Sequence, residues 1–240
     1  MSRCVRWTLA LVLGVGTLAG CGQARRNAGE NVPVTQNVSG SMPSTISLPA
    51  PRLVGPMSVE EALAGRRSER NYRDEPLTLA EVAQLLWSAQ GITAPAWGGR
   101  TAPSAGATYP LEVFAVVGAV EGIAAGLHQY LPTGHSLRHW KSGDLRPELS
   151  REALGQRWVR EAPLVLVIAA RYERTTQRYG ERGLRYVHNE VGHVGQNVHL
   201  QAEALGLGTV VVGAFSDEGV KRLLDIEEDP LYLMPVGRPR

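Results

Sequence analysis

The stretch Ala102-Pro103-Ser104-Ala105-Gly106-Ala107-Thr108-Tyr109-Pro110-Leu111-Glu112-Val113-Phe114 decides how the rest of the chain is read. A loop of small residues, nearly free of charge, runs straight into a predicted strand. Such a loop has little bulk to pack a core, but its backbone can come close to a flat ligand. Alone it is equally an ordinary turn or a ligand cradle. Its neighbours in sequence, an arginine cluster upstream and a Gly-rich strand downstream, make the cradle reading worth following.

The chain has 240 residues, with 43% hydrophobic and 20% charged, enough for one domain with a sizeable core. A net charge of +2 points to no polyanionic partner, and no nucleic-acid partner is expected. Only Lys141 and Lys221 among 25 basic residues are lysines. That bias suits bidentate contacts to phosphate or carboxylate, although a GC-rich genome explains it better.

The beginning of the chain reads as a targeting segment. Arg3 and Arg6 precede a short apolar run, Thr8 to Thr17, too short to span a bilayer. Leu18-Ala19-Gly20-Cys21 then resembles the lipobox of bacterial lipoproteins, which implies a signal peptide over 1–20 and a lipid on Cys21. Gly22 is not the aspartate that retains such proteins in an inner membrane, so an outer-membrane anchor facing the periplasm is expected in a Gram-negative host. Residues 21–55, with Pro33, Pro43, Pro49 and Pro51 among Gly, Asn, Ser and Thr, read as a disordered tether. The folded domain is expected over 56–240.

Within it, Ser58 with Glu61 and Thr78 with Glu81 form two capping boxes that start helices. Strands are predicted over 111–117, 163–170, 209–215 and 231–236, a hairpin around Pro132-Thr133-Gly134, and a long helix over 185–205. Val191, Val194 and Val198 give that helix one stripe; His188, Gly192, Gly195 and His199 give it a second. Helices and strands mix without a strict βαβ repeat, so the fold class is α+β.

Three segments can carry chemistry. Arg66-Arg67-Ser68-Glu69-Arg70 places phosphate-type donors together, as either a dianion site or a solvated helix end. Leu205 to Phe215 ends a helix in glycines and leaves Gly213 and Ala214 with open backbone, where an N–H can donate to a planar heterocycle. No Walker loop or complete GxGxxG accompanies them. His188 and His193 lie about 140° apart around a helix and cannot share an ion, and Ser104 lacks a nucleophile elbow.

In order and spacing these motifs resemble the nitroreductase superfamily of FMN-dependent oxidoreductases, most of all its SagB-type dehydrogenase branch. The resemblance rests on Arg66-Arg67-Ser68-x-Arg70, Pro103 to Pro110, Gly126-Leu127-His128-Gln129-Tyr130, Arg185-Tyr186, Gly195-Gln196-Asn197, Leu205 to Phe215, and Pro235 to Pro239. It implies a three-layer fold, a central mixed sheet flanked by helices, in a homodimer with long helices at the interface. It implies FMN, its phosphate held by Arg66, Arg67, Ser68 and Arg70, with Arg238 or Arg240 closing that site. Pro103, Ser104, Ala105 and Gly106 would line the ring edge from the partner subunit. Gln196, Gly208, Gly213 and Ala214 would complete the pocket, and Tyr186 is the catalytic candidate.

The family's azoline-oxidising members have a Lys-Tyr pair where this chain has Arg185-Tyr186, and arginine is a poor base. The usual asparagine after the small loop is Ala107. The activity this implies is hydride transfer between a small organic or peptide-like substrate and flavin N5, with electrons passed to an envelope acceptor. NAD(P)H-dependent nitroreduction, or a non-catalytic flavin-binding lipoprotein, are the alternatives.

Overall fold

A computed structural model describes residues 44–240. The signal peptide, the lipobox with Cys21, and most of the expected tether lie outside the described residues.

A seven-stranded sheet organises the chain, built from β1 (Thr45–Ser47), β4 (Leu111–Val117), β5 (Gly126–Leu131), β6 (Ser136–Ser142), β7 (Leu164–Ala170), β8 (Gly208–Thr209) and β9 (Asp229–Gly237). Its order is β1-β6-β5-β4-β7-β9-β8. Every pairing of adjacent strands is antiparallel. The α+β expectation holds, but the sheet is antiparallel rather than mixed; parallel pairing is confined to isolated bridges such as Ser68 with Thr209. A separate two-stranded ribbon joins β2 (Ile92–Ala94) to β3 (Gly99–Arg100) within what reads as a loop.

Strand periodicity builds two cores. Leu164, Leu166, Ile168 and Ala170 of β7 face one core, while Val165, Val167 and Ala169 face the other. Covered on both faces, β7 has no polar side, which is why its sequence is a continuous apolar run. The first core is closed by α2 (Leu79–Gln90) and α6 (Arg182–Ala204); the second by α3 (Arg146–Glu152), α4 (Arg157–Glu161) and α7 (Asp217–Leu224). Both expected capping boxes form: the Ser58 and Thr78 hydroxyls accept from the Glu61 and Glu81 N–H groups at the starts of α1 (Val59–Gly65) and α2.

Two boundaries differ from the sequence reading. The expected tether does not extend to 55: β1 pairs with β6, the Leu48 N–H donates to the His135 carbonyl at 3.1 Å, and the Arg52 N–H donates to Gln84 Oε1 at 2.8 Å. Three residues of Thr-Ile-Ser among prolines carry too short a pattern to read as a strand. The strand expected over 209–215 shrinks to Gly208–Thr209, with Val212 returning to β9 as an isolated bridge to Leu233. This segment has a partner strand on one side only, so its ladder is free to break. Helix α5 (Glu173–Tyr179) was also silent in sequence, being seven largely polar residues.

Helix α6 ends where Gly206 takes φ +68°, with the Leu207 N–H donating to the Ala202 carbonyl and the Gly206 N–H to the Glu203 carbonyl. That is a Schellman cap, which favours glycine at the left-handed position. Gly208 serves packing instead: a Cβ there would lie 2.6 Å from Glu69 Cβ.

Candidate functional site

The arginine segment leaves α1 and runs beside β8. Ser68 bridges Thr209, and the Glu69 N–H donates to the Thr209 carbonyl at 2.9 Å. Tyr72 anchors the far end, its buried hydroxyl donating at 2.7 Å to the Glu69 carbonyl. Two of the three sequence segments thus lie side by side.

Their donors are available. Among the described residues, Arg66, Arg67 and Arg70 have no carboxylate within ion-pair distance. Arg67, Ser68 and Arg70 are exposed and Arg66 is half-buried. Arg67 Nη1 reaches back to the carbonyls closing α1, and the Arg70 guanidinium lies 5.6 Å above the Trp158 ring. Arg66 also acts on buried His199, whose pKa falls to about 4, chiefly through burial and then through the Arg66 charge. Three guanidinium groups with no neutralising acid beside a hydroxyl form a donor set that suits a phosphate dianion.

Gly213 and Ala214 are exposed just beyond, and no backbone acceptor among the described residues takes their N–H groups. The Ala214 carbonyl accepts from Gln156 Nε2 at 2.8 Å, which fixes the segment. Gln196 is exposed on α6.

Arg238 and Arg240 differ in their partners. Arg238 Nη2 donates to Glu81 Oε1 at 2.9 Å, and its Nε lies 3.4 Å from Glu75. Arg240 Nε donates to the Tyr72 carbonyl at 2.7 Å. The first is neutralised by two acids; the second has no carboxylate within ion-pair distance among the described residues and, like Arg67, bonds a backbone carbonyl.

The opening loop occupies another place. It forms a single 3-10 turn over 105–107, with positive φ at Gly106, Ala107 and Tyr109. Ser104 Oγ accepts from the Tyr109 N–H at 2.9 Å, Arg174 donates to the Tyr109 carbonyl at 3.0 Å, and Arg178 donates to the Gly106 carbonyl at 3.1 Å. Its outer wall faces the first half of α6: His193 Nδ1 lies 3.3 Å from the Pro103 carbonyl. Between Pro103, Ser104 and Ala105 and the helical residues Tyr186, Asn189, Glu190 and His193 lies a cavity of about 260 Å³. Tyr186 is held there edge-on to Tyr179, ring centres 5.1 Å apart.

Loop and arginine segment therefore lie against different stretches of α6 within one chain, the loop at its middle and the arginine segment at its C-terminal end. Gly65 abuts Glu203, whereas the loop abuts His193. Those ten residues separate the two by about 15 Å along the helix at 1.5 Å per residue. Between them, α1, α2 and α6 enclose a cleft of about 450 Å³ lined in part by Val59, Trp87, Asn197 and Leu200.

Glu190 went unnoticed in the sequence. It is buried, and burial lifts its carboxyl pKa to about 7 against the opposing pull of Ser104, Arg100 and Gln90. The available signal was its place between Val187 and Val194 on the apolar stripe.

Residues 63–238 match the sequence profile described as the nitroreductase family. A Methanocaldococcus jannaschii protein named as a nitroreductase is 51% identical over 182 residues, 76% of this chain and 91% of that one. A crystal structure described as a nitroreductase of Ralstonia eutropha is similar at a TM-score of 0.72 and 30% identity, covering 82% of this chain and 90% of that one. A chain of the Escherichia coli microcin synthetase complex, solved with a truncated pro-microcin bound, is similar at a TM-score of 0.63 and 26% identity, covering 80% of this chain and 76% of its own.

Proposed function

The chain belongs to the nitroreductase family, whose members are generally flavin-dependent oxidoreductases, and from that premise we propose that it is an FMN-dependent dehydrogenase of the SagB-type branch. The observation that carries this is the run Arg66–Arg70, three guanidinium groups without acidic partners, laid against β8 beside the open N–H groups of Gly213 and Ala214. When bound, the flavin supplies a two-electron centre that accepts or returns a hydride.

The protein's part is position and electrostatics. Arg66, Arg67, Ser68 and Arg70 hold the phosphate. The N–H groups of Gly213 and Ala214 would be available to the ring and would favour the charge that reduction places on it. The loop at Pro103–Gly106 would come from a second copy, as the family resemblance implies; in its own chain it abuts His193 while the arginine segment abuts Glu203. Tyr186 reaches the site with that loop. Likeness to a chain of a microcin synthetase complex solved with a truncated pro-microcin bound supports a small or peptide-like substrate. The lipobox at Leu18–Cys21 supports a lipid-anchored protein of the outer membrane that passes electrons to an envelope acceptor.

Arg66→Ala with Arg70→Ala is the direct test. The double variant is expected to fold and to lose its FMN on gel filtration; a variant that keeps stoichiometric flavin would overturn the phosphate assignment.

A further inference from the structure

Glu190 has no part in holding a flavin, yet it is placed for chemistry. The residue is 2% exposed and belongs to the wall of the cavity between the Pro103–Ala105 loop and Tyr186. Its Oε1 is sealed from solvent and meets no donor at hydrogen-bonding geometry among the described residues, while Ser104 and Gln90 lie near enough to the carboxyl to oppose the effect of burial. A buried acceptor left in that state bears its full desolvation cost, so its retention asks for a reason.

The groups facing it come from four elements. Arg100 of β3 is nearest in charge, but its Nη1 donates to Gln90 Oε1 at 2.8 Å and its guanidinium covers the Tyr109 ring at 4.5 Å. Gln90 of α2 leaves its own Nε2 buried and unpartnered. Ser104 of the loop accepts from the Tyr109 N–H, which leaves its O–H free to donate. Tyr186 and His193 of α6 face the same cavity. Burial outweighs the stabilising contacts, so both protonation states of Glu190 are populated near neutral pH. Arg185, exposed and permanently charged, supplies no base.

We propose that Glu190 is a further catalytic residue, exchanging with the substrate the proton that accompanies hydride transfer in this cavity. The inference rests on the flavin reading above. The substrate class is a molecule with an H–C–N–H or H–C–O–H unit, or in reverse an imine or carbonyl compound; a quinone such as menadione also accepts a hydride and a proton, which end on its two oxygens. Oxidation breaks the C–H bond, whose hydride passes to the bound flavin, and the N–H or O–H bond, whose proton passes to the Glu190 carboxylate. A C=N or C=O bond forms, and the neutral acid then releases its proton to water. In reverse, the acid protonates the reduced substrate's heteroatom. Tyr186, one helical turn before Glu190, borders the same space and orients the substrate.

The test compares wild type with Glu190→Gln in three measurements: FMN content, anaerobic reoxidation of the photoreduced protein by menadione across pH, and the infrared C=O stretch of protonated carboxyls during titration. Wild type should show a reoxidation inflection and a carboxyl band, both with midpoints near pH 7. Glu190→Gln should keep its flavin, reoxidise at least about 100-fold more slowly, and lose both inflection and band. Retained flavin with wild-type rate and inflection overturns the inference alone. Absence of a titrating band in wild type overturns it as well, whatever the rates. Wild type that binds no FMN overturns the flavin reading and this inference with it. Should Glu190→Gln fail to fold, Glu190→Asp, which withdraws the carboxyl by one methylene, is expected to bind FMN and slow menadione reduction; an unchanged rate and midpoint would overturn the proposal.

Discussion

Ala107 and Tyr109 hold positive φ values of 53° and 45° in the loop, a conformation that costs a residue with a Cβ about 1–2 kcal/mol. Hydrogen bonds from Arg174 and to Ser104 Oγ hold Tyr109 there, and the Ala107 N–H donates to the Ser104 carbonyl at 3.1 Å. Ala107→Gly is therefore expected to stabilise the protein by about 0.5–1 kcal/mol in denaturant melts; a loss of stability would mean the strain is illusory. Glu190 and His199 set opposite pH trends. The Glu190 carboxyl holds its proton more tightly folded than unfolded, so its stabilisation is complete below the ordinary pKa of 4.5 and is lost as pH rises through about 7. His199 holds its proton less tightly folded, so its share is complete above 6.5 and is lost as pH falls to about 4. Glu190→Gln should leave a stability profile that rises from pH 4 to 7, where wild type is flatter. At this scale the arginines and the loop glycine were legible, because their types are rare in such runs. Glu190 was not, because a carboxyl's burial depends on what packs over it.

Among elements, α2, α6, the β5–β6 hairpin and β7 were legible from capping boxes, apolar period and turn residues. β1, α5 and the β2–β3 ribbon were not, since each is short and stabilised by what it lies against. The second stripe of α6 divides: Gly195 and His199 are buried, while His188 and Gly192 are exposed. A Cβ on Gly195 would touch Tyr232 at 3.4 Å, whereas Gly192 has open space around it. Leu166, fully buried in β7, anchors the sheet. Leu166→Ala should cost about 2–5 kcal/mol in chemical denaturation. Gly206→Ala, at the left-handed cap of α6, should cost about 1–2 kcal/mol. A neutral result at Gly206 would show that the cap does not fix the end of the helix.

At the scale of the whole molecule, the proposed pocket joins the arginines of one copy to the loop of another across α6. Val59 and Leu63 of α1 and Trp97 beside β3 are exposed apolar residues, as a surface that buries itself against a second copy would have. A mixed population tests the shared pocket without knowledge of the substrate. Arg66→Ala/Arg70→Ala and Ala105→Trp should each bind little FMN alone. Unfolded and refolded together in equal amounts, they should regain about a quarter of the wild-type sites, because half the dimers are mixed and each mixed dimer has one intact site. No regain would place loop and arginines in separate pockets.

The absorbance spectrum of the purified protein shows whether this chain is a flavoprotein. The expected result is a yellow protein with oxidised-flavin bands that releases about one FMN per chain on denaturation. A colourless protein that takes up no added FMN would contradict the account.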